Sequence, residues 1–156
     1  SNSMLKLLIF NNLHSLHIHI ISLFPLSVES YMESSIMKRA QEKGLFTYTL
    51  HNLTDWTTRN TRRVDDRPYG GGAGTIIMIE PLTNALREIM NEYPTDDGST
   101  MPIYLMAPSG NLLKQRDVHE HMKKIQHSGS AIIICGHYEG VDERIFELFD
   151  INSISI

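Results

Sequence analysis

Hydrophobic and polar positions change period several times along this chain, and each change predicts an element. Ile18–Leu23 is mostly apolar and rich in β-branched residues, so it predicts a buried strand, stopped by Pro25. From Ser27 to Lys43 the apolar residues Val28, Tyr31, Met32, Ile36 and Met37 recur at spacings of three and four. That is a helix, with Gly44 placed to end it. Leu45–Leu50 alternates as a second strand. No period survives from Asn52 to Gly74, a polar loop long enough to suggest function. Thr75–Ile79 is a short apolar run, and Pro81 suits the first turn of a helix reaching about Glu92. Tyr93–Thr100 is a surface turn. The second half predicts a strand at Ile103–Ala107, a turn at Pro108-Ser109-Gly110 and a helix over Leu112–His127. A buried strand over Ser130–Cys135 is followed by a turn at Gly136–Gly140. A short helix over Asp142–Phe149 has Asp142 as N-cap, and another strand starts at Ile151. Strands alternating with helices predict an α/β domain, a mostly parallel sheet with flanking helices.

Composition narrows this picture. The 156 residues suffice for one domain with a core, and 41% hydrophobic with 21% charged residues is globular composition. A single cysteine, Cys135, excludes an intramolecular disulfide framework and a multi-thiolate zinc site. It points to a reducing, cytoplasmic setting. The net charge of -4 means that any nucleic-acid site must be a local patch. Ser1-Asn2-Ser3 before Met4 looks like an expression scar, and residues 4–17 read as an amino-terminal extension to a domain over 18–156. The apolar stretch Leu5–Phe10 is too short to span a bilayer, so no membrane partner is expected. Eight histidines invite a metal hypothesis, but His17 and His19 share a strand face without an evident third ligand, and no metal-binding residues are assigned.

Three stretches could carry chemistry. The first runs from Arg63 through Val64, Asp65, Asp66, Arg67, Pro68 and Tyr69 to Gly70-Gly71-Gly72-Ala73-Gly74. Its glycines can expose N–H groups to an anion, and its arginines can grip phosphates in bidentate fashion. A flexible linker beside a solvated charge run is the competing reading. It is no Walker loop, since no Gly-Lys-Ser/Thr follows, and no Rossmann fingerprint, since Thr75 stands where the third glycine belongs. The second is Cys135-Gly136-His137-Tyr138-Glu139-Gly140-Val141-Asp142-Glu143-Arg144, at a strand's carboxyl end where open α/β sheets bind ligands. A plain strand-to-helix turn with solvated Glu143 and Arg144 competes equally. The third, Leu105-Met106-Ala107-Pro108-Ser109-Gly110, also ends a strand and by itself is only a turn.

Taken in order, I-I-S-L-F-P from Ile20 to Pro25, V-D-D-R-P-Y-G-G-G-x-G from Val64 to Gly74 and C-G-x-Y-E-G-x-D-E-R from Cys135 to Arg144 closely resemble the bacterial tRNA guanine-N1 methyltransferases. The resemblance covers Ile18 to Ile156. It implies a SPOUT-type α/β domain with a deep trefoil knot, a rare exception to the usual topology. It implies S-adenosylmethionine as cofactor, held by Leu105, Met106, Ala107, Pro108, Ser109, Gly110, Gly136, Tyr138, Glu139, Gly140 and Ile156. It also implies a homodimer with the active site at the subunit interface, and a tRNA substrate methylated on N1 of the guanine 3′ of the anticodon. Arg59, Arg63, Asp65, Asp66, Arg67, Gly70, Gly71, Gly72 and Gly74 would lie on the tRNA side, and Glu139 near the target guanine.

Guanine N1 is a poor nucleophile while protonated, so a base must take its proton as the methyl group is attacked. Charge rising on guanine O6 calls for an arginine or a cation. By resemblance the base is an aspartate in a linker to a carboxyl-terminal domain, with Mg2+ assisting. His137, Ser109, Asn111 and Ala73 depart from residues frequent in the family. Ser155-Ile156 matches the start of the family's last cofactor loop. The expectation is therefore an amino-terminal part of the enzyme, inactive alone, with the closing part of the knot and the carboxyl-terminal domain absent. The alternative is a non-catalytic fragment that dimerises and binds tRNA or cofactor.

Overall fold

The computed structural model describes residues 16–57, 65–66, 76–112, 115–135 and 140–155. Its centre is a five-stranded sheet in the order β2-β1-β6-β5-β8, in which every pair of neighbours is parallel. The strands are β1 (Leu16–Ser22), β2 (Phe46–Asn52), β5 (Ile103–Leu112), β6 (Ser130–Cys135) and β8 (Ile151–Ser155). A second sheet joins three two-residue strands, β3 (Asp65–Asp66), β4 (Ile76–Ile77) and β7 (Gly140–Val141). The helices are α1 (Pro25–Met32), α2 (Ser35–Glu42), α3 (Ile79–Glu92), α4 (Gln115–Ser128) and α5 (Ile145–Leu148). This is the expected α/β class with a mostly parallel sheet. Among the described residues no helix is long and apolar enough to cross a membrane.

One face of the sheet is filled by β-branched side chains, which parallel strands favour. Ile132 and Ile134 of β6 are fully buried, and Ile21 of β1 and Ile103 of β5 sit beside them in the core. Helix α3 covers this layer with Leu82, Ala85, Leu86 and Ile89, spaced at three and four residues so that they form one stripe. Pro81 lies in its first turn, where its missing N–H costs nothing.

The helix expected over Ser27–Lys43 is two helices. Ser34 takes an extended conformation as N-cap of α2, and the break follows Glu33. Serines compete for backbone hydrogen bonds and so favour helix starts over helix interiors. The Met32 carbonyl left free by the break accepts from the Gln41 side chain at 2.8 Å. The break also turns the expected apolar stripe away from the core: Met32 is buried, whereas Tyr31 and Ile36 are exposed. At the end of α2, Gly44 at φ +73 lets Leu45 N–H reach the Ala40 carbonyl and Gly44 N–H reach that of Gln41.

Strand β1 starts at Leu16 rather than Ile18, because His17 is already paired with Thr47 of β2 and Ser130 of β6. Strand β5 runs through the expected Pro108-Ser109-Gly110 turn to Leu112. Its pairing with β8 carries it across, since Met106 and Asn111 both face Ile154 and residues 107–110 are surplus to the ladder. The expected helix over Asp142–Phe149 shrinks to Ile145–Leu148.

Gly129 closes α4 at φ +79, and a Cβ there would meet the Asp96 carboxylate. Gly→Ala gains about 0.4–1 kcal/mol where the backbone suits alanine, but at this left-handed, crowded position Gly129→Ala is expected to cost about 1–3 kcal/mol. Equilibrium unfolding in urea measures it, with Gly98→Ala, equally left-handed at φ +75 but in open space, as the smaller comparison.

Candidate functional site

The carboxyl edge of the large sheet gathers two of the three stretches. Leu105 and Met106 of β5 lie between Ile134 and Cys135 of β6 on one side and Ser153 and Ile154 of β8 on the other. Leu105 is buried and Met106 half-buried. The backbone of Ala107, Pro108, Ser109 and Gly110 forms the surplus of β5 opposite β8. Amide and carbonyl groups that a ladder does not use are available to a ligand. Cys135 is a free, half-buried thiol whose pKa burial pushes up, so it is suited to packing rather than to attack.

The small sheet brings the glycine-rich stretch to the second motif. Asp66 pairs with Ile76, and Ile76 pairs with Gly140. Asp65 pairs with Ile77, and Ile77 pairs with Val141. Adjacent strands lie about 4.8 Å apart, so Asp66 and Gly140 stand about 10 Å from one another across one shared strand. Two-residue strands carry no readable period, and sequence patterning gave no sign of this sheet.

Asp142 follows directly. Its N–H donates to the Ile77 carbonyl at 3.0 Å, which extends the link between β7 and β4. Its carboxylate is nearly buried and accepts three hydrogen bonds from Arg144: from the backbone N–H at 3.1 Å, from Nε at 3.0 Å and from Nη2 at 2.6 Å. The Arg144 hydrogen bonds hold its pKa below the usual carboxylate value. Asp142 thus closes an Asx turn ahead of α5, whose N-cap is Arg144. Arg144, read as a solvated residue in the plain-turn alternative, is the partner that neutralises it.

The remaining expected site residues lie outside the described residues: Arg59, Arg63, Arg67, Gly70, Gly71, Gly72, Gly74, Gly136, Tyr138, Glu139 and Ile156. Among the described residues no group of three or more histidine, cysteine or carboxylate side chains could hold a metal ion.

Comparison with known proteins bears on the family and the fold. The family model described as tRNA (Guanine-1)-methyltransferase TrmD matches residues 16–156. A tRNA (guanine-N(1)-)-methyltransferase from Christiangramia forsetii is 39% identical over 141 residues, covering 90% of this chain and 58% of the relative. Its counterpart from Chloroflexus aggregans is 40% identical over 137 residues, covering 88% and 51%. The crystal structure of tRNA (m1G37) methyltransferase from Aquifex aeolicus superposes with a TM-score of 0.73 at 30% identity, over 92% of this chain and 60% of that one. The chain spans a little over half the length of these relatives. With a family match running from the first strand to the last residue, the chain belongs to the tRNA (guanine-N1-)-methyltransferase family.

Proposed function

We propose that this chain carries the cofactor-facing and guanine-facing parts of a tRNA methyltransferase acting on N1 of the guanine 3′ of the anticodon. One observation carries the reading. The shared strand β4 joins the Asp65–Asp66 segment to Gly140–Val141, and the third stretch lies on β5, next to the carboxyl end of β6 that leads into the second stretch. S-adenosylmethionine supplies the methyl group when bound. The residues present suit it: the half-buried Met106 offers apolar surface, and the unladdered backbone of residues 107–110 offers donors and acceptors for its polar groups.

On this reading Glu139 lies beside the target base, with Gly136, Tyr138, Gly140 and Ile156 around the cofactor. Arg59, Arg63 and Arg67, with Asp65, Asp66 and the glycines Gly70, Gly71, Gly72 and Gly74, face the tRNA. Arginines position the backbone phosphates, and the aspartates order the arginines or accept from a base. Mg2+ belongs to the family expectation, and no step is assigned to it. The trefoil knot belongs to the reading as well; the placement of the last strand against β5, with surplus residues between its two contacts, supports it. So does a homodimer, supported by Leu26, Tyr31 and Ile36, large apolar residues left exposed on α1 and α2. The single cysteine supports a cytoplasmic setting.

The roles read here are to hold cofactor and tRNA, so the tests suited to these residues are binding tests. Calorimetry with S-adenosylhomocysteine is expected to show micromolar binding. Binding of unmodified tRNA is expected to weaken with salt, and Arg67→Ala to flatten the slope of log K against log salt by about 0.7–0.9 for the phosphate it releases. A salt slope unchanged in Arg67→Ala and Arg63→Ala alike would remove this stretch from the tRNA surface.

A further inference from the structure

A cluster of histidines lies at the other half of the sheet, away from the stretches described above. His19 of β1 is completely buried. Its Nδ1 is 3.0 Å from Nε2 of His51, on β2, while its own Nε2 has no hydrogen-bond partner. The ring of His17 meets that of His19 edge-on at 4.6 Å, and Tyr93 packs against it at 4.4 Å. His51 in turn packs against the ring of Trp56 at 5.5 Å. Trp56 belongs to the 3-10 turn Leu53–Trp56, and its Nε1 donates to Glu88 of α3 at 2.6 Å. The Trp56 carbonyl accepts from Asn84. A chain of contacts therefore runs from β1 through β2 and the turn to α3.

The two ring pairs differ in what they tolerate. His17 places Nδ1 2.6 Å from Thr47 Oγ1 and Nε2 2.7 Å from Thr49 Oγ1. A hydroxyl both donates and accepts, so His17 keeps both contacts in either charge state. His19 and His51 face each other nitrogen to nitrogen, and that contact needs one N–H and one lone pair. One added proton fits on an outer nitrogen. A second forces N–H against N–H between two cations about 3 Å apart.

We propose that the His19–His51 pair is a proton-operated clasp: it joins β1 and β2 to the Trp56 turn while the rings are neutral or share one charge, and it parts when the pair takes up a second proton. The titratable groups around it are His17, Glu88 of α3, Glu92 at the end of α3, and Tyr93 and Asp96 beyond it. Burial pushes the His19 pKa down to about 4, with His17 and His51 adding to the shift. Burial and His17 also lower His51, against the pull of Glu88. The clasp is thus closed at neutral pH. Because both folded-state values lie below the ordinary 6.5, protons are resisted by the folded form, and the clasp opens as pH falls from 6.5 through about 4.

Trp56 is the only tryptophan, so its emission reports on His51 directly. Between pH 7.5 and 3 the emission is expected to change in a transition centred below 6.5, while far-UV circular dichroism stays native. His51→Gln keeps an amide donor and acceptor opposite His19 and cannot titrate, so it should abolish the transition. His19→Gln should reduce it to the one-proton titration of His51 beside Trp56, and His119→Gln on the exposed face of α4 should leave it intact. An identical transition in His51→Gln and the parent overturns the proposal. So do imidazole signals by NMR in which His19 and His51 titrate independently at 6.5. If acid unfolding precedes any emission change, the clasp predicts a higher unfolding pH in the parent than in His51→Gln; equal values overturn it.

Discussion

Ile134→Ala is expected to lower the free energy of unfolding by about 2–5 kcal/mol, a large share of the roughly 5–15 kcal/mol that holds a domain together. Ile134 is wholly buried on the central strand of the sheet, paired with Ile21 on one side and Leu105 on the other. Truncation removes three methyl or methylene groups and leaves a cavity that flanking strands cannot close, because their spacing is fixed by the hydrogen-bond ladder. The position also lies directly before Cys135, so the cavity would open beneath the carboxyl edge where Leu105 and Met106 sit. Urea unfolding measures the loss. Ile133→Ala, on the half-buried face of the same strand, should cost clearly less. Equal effects would mean that the two faces are not packed as described.

Arg144→Ala should produce the second large change. It leaves the nearly buried Asp142 carboxylate with only a backbone N–H as partner. A lost charge-assisted pair of this kind costs about 1.5–3 kcal/mol when shielded; the half-exposed guanidinium brings the expectation to about 1–2 kcal/mol. The pH dependence has a definite sign. The folded pKa of Asp142 is depressed below 3.8, so the pair's contribution is complete above that value and is lost as pH falls below it. The stability gap between Arg144→Ala and the parent should be full at pH 7 and should close as Asp142 protonates. A gap that persists once the carboxyl is neutral would assign the effect to packing of the arginine stem instead.

How far the sequence revealed these features depended on how local each one is. Strand β6 was legible to the residue, because S-A-I-I-I-C is a continuous apolar run flanked by Gly129 and Gly136. Helix α3 was legible from its apolar period and Pro81. The break between α1 and α2 was not, because the apolar spacing continues across Ser34 and Ser35 while their backbone does not. The extension of β5 past Pro108 depends on β8, a partner more than forty residues later, and no local signal announces it. The same holds for the site. Motif resemblance singled out both stretches, but their proximity rests on Ile76–Ile77, too short to read as a strand. His17 and His19 were seen to share a face; that His51 comes to meet His19 follows only from the β1–β2 register, which sets Ile21 opposite it.

The order of the large sheet has a consequence for how the molecule forms. Strands β1 and β2 pair across the α1–α2 segment and are neighbours early in the chain. The other edge of β1 is covered only by β6, beginning at Ser130 opposite His17. Loop closure over more than a hundred residues must precede that pairing, and its entropy opposes the central ladder until β6 exists. Sheets dominated by such distant pairings form on the scale of milliseconds to seconds rather than microseconds. During synthesis the ribosome thus releases β1 with one open hydrogen-bonding edge well before its permanent neighbour emerges. That interval, rather than the finished fold, is when this sheet is most exposed to pairing with another chain.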